Sequence, residues 1–122
     1  MDKKLNWISA LLVAGWVAGC ASTALPPTEQ IAVSKASVTR AASLGGNEYA
    51  PMELKSATEK ITAAEQAMSD EEYVKAKRLA EQAEVDAKLA ETKTGLAKAE
   101  IAIRNAEESN RALREEIDRG AE

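Results

Sequence analysis

Apolar side chains recur three and four residues apart through the middle of the chain, first at Leu54, Ala57, Ile61, Ala64 and Met68, then at Tyr73, Ala76, Ala80, Ala83, Ala87 and Ala90. At 3.6 residues per turn each set falls on one helical face. Pro51 stands near the first turn of the earlier helix, where its missing N–H costs nothing. Between the two sets lies Ser69-Asp70-Glu71-Glu72. Ser69 or Asp70 can cap free amides, and the acids suit the positive end of the following helix dipole. The pattern predicts an antiparallel hairpin whose seam is lined by alanine. A further, weakly apolar helix precedes it, starting at or just after Pro27 with Ile31, Ser34, Val38 and Ala41 on one stripe. It stops at Gly45-Gly46-Asn47, where positive φ is permitted.

Beyond Ala90 the period becomes seven. Leu89, Leu96, Ile103, Asn110 and Ile117 form one row, and Thr92, Ala99, Ala106 and Leu113 fill the positions three further on. This is a coiled-coil seam, with Asn110 as the polar residue that fixes register and oligomer state. Glu100 with Arg104, Glu107 with Arg111 and Glu115 with Arg119 are one turn apart and support the helix by a few tenths of a kcal/mol each. Their ordinary role is a solvated face. Thr92-Lys93-Thr94-Gly95 is the weak point, where low helix propensity offers a break and a fold-back. By helix lengths, an antiparallel partner ends near Leu89. A continuous helix then leaves about 30 residues, roughly 45 Å, without an intramolecular mate. The expectation is an all-α fold: a helical hairpin, three helices if the first forms, with a long coiled-coil-like C-terminal helix.

Two facts at the start of the chain change where this fold resides. Lys3 and Lys4 precede an apolar run from Trp7 to Val17, about 11 residues long, which fits a signal h-region and falls short of a membrane span. Val17-Ala18-Gly19-Cys20 follows and resembles the bacterial lipoprotein lipobox. The resemblance implies cleavage before Cys20 at a site recognised through Val17, Ala18 and Gly19, with a diacylglyceryl group on the Cys20 thiol. It also implies delivery to the periplasmic face of the outer membrane, because Ala21-Ser22 rather than aspartate follows the cysteine. The organisation is then 1–19 signal, 20–27 tether, 28–91 helical hairpin and 92–122 coiled-coil-like extension.

Removing the signal moves the formal charge from -4 to -5. A mildly acidic chain carries no basic footprint for nucleic acid. The single cysteine is committed to lipid and there is no histidine, which removes Ser-His and Cys-His nucleophiles and the usual zinc sites. Glu81 with Glu84, or Glu107 with Glu108, lacks the pocket that a general acid needs. No catalytic residue, metal site or cofactor is therefore assigned, apart from the lipid on Cys20.

Glu48-Tyr49-Ala50-Pro51, Glu53-Leu54 and Ala57, then Glu71-Glu72-Tyr73, Ala76, Leu79-Ala80, Ala83, Asp86-Ala87 and Ala90 together resemble the small bacterial lipoproteins of the DUF4398 family, over roughly residues 26 to 91. The resemblance implies an envelope location and a helical fold, and no activity. Tyr73-Val74-Lys75-Ala76 also fits half of a tetratricopeptide repeat, but no second copy follows at about 34 residues. Two functional readings remain. One is a non-enzymatic structural or adaptor lipoprotein, held to the membrane by its lipid, that meets a copy of itself or another envelope protein through Leu96, Ile103, Asn110, Leu113 and Ile117. The alternative is a small-ligand or lipid carrier with a groove between its helices.

Overall fold

A computed structural model describes residues 24–121, and the cleavage motif Val17-Ala18-Gly19 and Cys20 lie outside the described residues. Among the described residues there are four helices: α1 (Thr28–Ser43), α2 (Gly46–Tyr49), α3 (Pro51–Ser69) and α4 (Tyr73–Gly120). The all-α expectation holds, with the hairpin and the preceding helix both present. α3 packs most extensively on α4, and α1 adds to α4 more than to α3. Cross-links such as Gln30 to Glu84 and Arg40 to Glu91 run α1 parallel to α4. Those from Lys60 to Asp86 and Lys93 to Glu53 run α3 antiparallel to it.

The core is almost entirely alanine. Ala41, Ala57, Ala64, Ala80, Ala83, Ala87 and Ala90 are inaccessible, and Leu54 and Ile61 are the only larger apolar residues classed as buried among those described. One methyl group each stabilises by roughly 0.8 kcal/mol, so the gain comes from close backbone approach and from the half-buried Ile31, Val38 and Leu79 packed around the seam. α1 contributes Ser34, Ser37 and Ala41. Ser34 stays satisfied by donating to the Gln30 carbonyl at 2.8 Å. Ser37 completes a stripe that the sequence pattern fills with Val38, now half-buried. On α3 the last inward position belongs to Ala67 rather than Met68.

The α3–α4 turn differs in mechanism from the expectation. Ser69 and Asp70 do not cap α4, whose N-cap is Glu72 without a side-chain cap bond. Backbone bonds close the turn instead: Glu72 N–H donates to the Ala67 carbonyl at 2.9 Å and Glu71 N–H to that of Met68 at 3.2 Å. This paired arrangement requires a left-handed residue at its centre, and Glu71 takes it, with φ 61°. At the other end of α1, Gly45 occupies the left-handed position with φ 101°.

α4 does not break at Thr92–Gly95, because packing outweighs the ~1 kcal/mol that Gly95 costs. Thr94 is buried, Ala97 and Ile101 are half-buried, and the Thr92 hydroxyl donates back to the Lys88 carbonyl at 2.9 Å. Contact with the bundle therefore runs about three turns past Leu89. The extra cover comes from α2, a short helix in the α1–α3 connection that packs on α4.

Candidate functional site

From Ala102 to Gly120 every residue of α4 is exposed. This stretch stands about 28 Å clear of the bundle, shorter than the 45 Å expected from helix lengths because α2 extends the packed part. The five seam residues divide accordingly. Leu96 lies beside the top of the bundle, while Ile103, Asn110, Leu113 and Ile117 ride on the projecting part. All are solvent-facing, with Leu96 at 60 %, Ile103 and Leu113 at 59 % and Ile117 at 68 % exposure, so none is covered by the described residues.

The seam is not a continuation of the alanine stripe. The buried row of α4 runs Ala76, Ala80, Ala83, Ala87, Ala90, Thr94, whereas the seam begins one residue before Ala90, about 100° around the axis. One helix thus carries two separate apolar faces. The first is consumed by α1 and α3 over the proximal half. The second, flanked by Glu100, Glu107 and Arg114, is open over the distal half.

Rigidity at the base of this helix is built from polar ties that sequence pattern does not reveal. The Lys98 ammonium donates to the Leu44 carbonyl at 2.6 Å and lies 5.7 Å from the centroid of the Tyr49 ring. It joins α4 to the α1 C-terminus and to α2. Below it Lys93 pairs with Glu53, and Arg40 with Glu91 at 2.8 Å. Lys60 and Ser56 both donate to Asp86, at 2.5 and 2.7 Å. The hydrogen bond from Lys93 holds the Glu53 carboxyl below its usual range. Lys88 and then Gln30 do the same for Glu84. Burial pushes Asp86 up, but the bonds from Lys60 and Ser56 outweigh it and the net direction is down. The only signal for these ties is charge of opposite sign on facing helices, legible once the register is known.

At the opposite end the chain enters beside the start of α4. Ala24 and Leu25 share an open depression with Tyr73, Val74, Lys75 and Arg78. The seam residues stand far from it. At 1.5 Å per residue, Ile103 is about 45 Å and Ile117 about 66 Å along α4 from Tyr73.

Among the described residues no cluster of three metal-ligating side chains occurs, and no helix is long and apolar enough to cross a membrane. Glu81, Glu84, Glu107 and Glu108, considered above as paired acids, lie on the open outer surface of α4 or in the ion pairs just described.

Residues 29–106 match the family described as Domain of unknown function (DUF4398). The matched span extends past the bundle to Ala106 and ends inside the projecting helix, so Leu96 and Ile103 fall within it and Asn110, Leu113 and Ile117 beyond it. No curated protein and no solved structure among those compared matches the chain.

Proposed function

We propose, for a chain that belongs to the DUF4398 family, a non-catalytic role as an envelope lipoprotein that presents a docking helix at a fixed distance from its anchored end. Acylation of Cys20 holds the α1–α4 end of the bundle to the periplasmic face of the outer membrane. The three-helix bundle acts as a stiff base. The distal part of α4 is the working surface, and its open seam receives a protein partner.

The observation that carries this reading is the second, unburied apolar face of α4, placed on the one segment that contributes nothing to the bundle. A helix this short is marginal in water when alone, and a two-row heptad seam carrying Leu96, Ile103 and Ile117 with Leu113 is the pattern by which such a helix gains a mate. The packed seam between α1, α3 and α4, lined by inaccessible alanines, supports docking over the carrier alternative, which needs a wide apolar groove.

The test is in cells. Fatty-acid labelling and membrane fractionation of the full chain should give a labelled outer-membrane protein, and Cys20→Ala should lose the label and accumulate as precursor. Persistent labelling of the Cys20→Ala chain, or fractionation of the parent with the inner membrane, contradicts the anchoring assignment.

A further inference from the structure

The docking role proposed above leaves open what covers the seam. We infer that a second copy of this chain covers it, running antiparallel, with the two-fold axis at the level of Glu108. The inference rests on that docking role and on the order of side-chain sizes and charges along the exposed row.

Taking Leu96, Ile103, Asn110 and Ile117 as one set of core positions and Ala99, Ala106, Leu113 and Gly120 as the other, an antiparallel pair centred on Glu108 sets large against small in nearly every layer. Leu96 meets Gly120 of the second copy, Ala99 meets Ile117, and Asn110 meets Ala106. Only Ile103 against Leu113 joins two large residues. Alternation of large and small across facing positions is what fills a helix–helix interface evenly. Asn110, opposite a methyl group, keeps access to water for its amide. The overlap spans residues 96–120, about 37 Å.

Charge excludes the deeper neighbouring register, and packing with length of overlap excludes the shallower one. On the flank beside the core, Glu100 faces Arg114 of the second copy, twice by symmetry, while Glu107 faces its own symmetry mate. Sliding the copies one heptad deeper puts Glu100 against Glu107 and Lys93 against Arg114, four like-charge contacts. Sliding them one heptad apart keeps two opposite-charge pairs, Glu107 against Arg114, but sets Asn110 against Leu113 and shortens the overlap to 103–120. A parallel, in-register pair stacks Ala99 on Ala99 and Ala106 on Ala106, which leaves thin layers between thick ones. It also places Glu100 and Glu107 opposite Gly95 and Ala102, with no opposite-charge pair across the interface.

The consequence is a strut. Each bundle lies outside the overlap, so the two Tyr73 ends stand about 105 Å apart at opposite tips, and two copies anchored in one membrane lie along it.

The experiment uses full-length chains in detergent solution. Two differently tagged chains, Ile103→Cys and Leu113→Cys, are mixed and oxidised, and the links are identified by peptide mapping, which separates any disulfide through Cys20. The expected product joins position 103 of one chain to 113 of the other, in excess over 103–103 and 113–113. Glu100→Arg should weaken dimerisation roughly tenfold. Glu100→Arg with Arg114→Glu should restore it, and Glu107→Gln should tighten it. A dimer that forms the 103–103 and 113–113 links and ignores the charge swap overturns the antiparallel inference while the docking role stands. A full-length chain that stays monomeric overturns the second-copy inference and leaves the seam to a different protein partner.

Discussion

Gly46 and Gly95 give opposite expectations for the same substitution, and the structure supplies the magnitudes. At Gly46 an added Cβ would lie 2.7 Å from the Ala41 carbonyl oxygen and 3.3 Å from Leu54 Cδ2. Ordinary contact begins near 3.4 Å, and the oxygen belongs to the last turns of α1, so relief requires moving backbone. Overpacking of this kind costs about 1–3 kcal/mol. Alanine's higher helix propensity returns up to about 1 kcal/mol, leaving Gly46→Ala destabilised by up to about 2 kcal/mol. At Gly95 an added Cβ meets nothing within 4 Å and the backbone is mid-helix, so Gly95→Ala should gain about 1 kcal/mol. For a domain of this size 1 kcal/mol corresponds to a Tm shift of roughly 4–8 °C. Thermal unfolding followed by circular dichroism at 222 nm should therefore place Gly46→Ala below the parent and Gly95→Ala above it. A stabilised Gly46→Ala would refute the packing of α2 on α1, and a destabilised Gly95→Ala the continuity of α4.

Three other expectations concern the bundle. Glu71→Gly should raise the urea midpoint by about 1 kcal/mol of stability, because Glu71 holds a left-handed φ of 61° that glycine adopts without penalty; a lowered midpoint would count against the backbone-closed turn. Thr94→Val should also stabilise, by about 1 kcal/mol, since the buried Thr94 hydroxyl has no hydrogen-bond partner and the swap removes it while keeping the shape; a loss of stability would show that the hydroxyl is satisfied in solution. Glu53, Glu84 and Asp86 all have folded pKa values below their unfolded ones, so their contribution is present above the normal carboxylate range and is lost as pH falls through the depressed values. Tm should accordingly fall between pH 5 and pH 2, and less steeply in Asp86→Asn; a Tm flat across that range would mean the ties are not formed.

The helical fold was legible because period carries it: alanines at three and four residue spacing define one face whatever their neighbours, and the structure buries that row from Ala76 to Ala90. The end of packing was not. It depends on α2, a four-residue helix too short for periodicity, held by Gly46 where no Cβ fits. Glycine runs read as stops, and here a stop and a packing element coincide. The α3–α4 turn was placed correctly and explained wrongly, since Ser69 and Asp70 fit a capping pattern while the chain uses backbone bonds around Glu71. The heptad alone singles out the seam residues. Their angular separation from the core stripe needed the register of α4 against α1 and α3, and that separation is what makes them a surface rather than an extension of the core. The ties of Lys98, Lys93 and Lys60 depend on the same register.

The measurement closest to the central claim is sedimentation velocity of residues 21–122, compared between the parent and Ile103→Asp. Ile103 lies outside the bundle, so the substitution should leave its thermal stability unchanged while burying a charge in any partner interface. The parent should sediment as a concentration-dependent dimer and Ile103→Asp as a monomer with the same helical content. Monomers in both with no partner crosslinked to the distal seam in cells, or dimers indifferent to Ile103→Asp, would contradict the assignment of the distal face of α4 as the surface through which this protein acts.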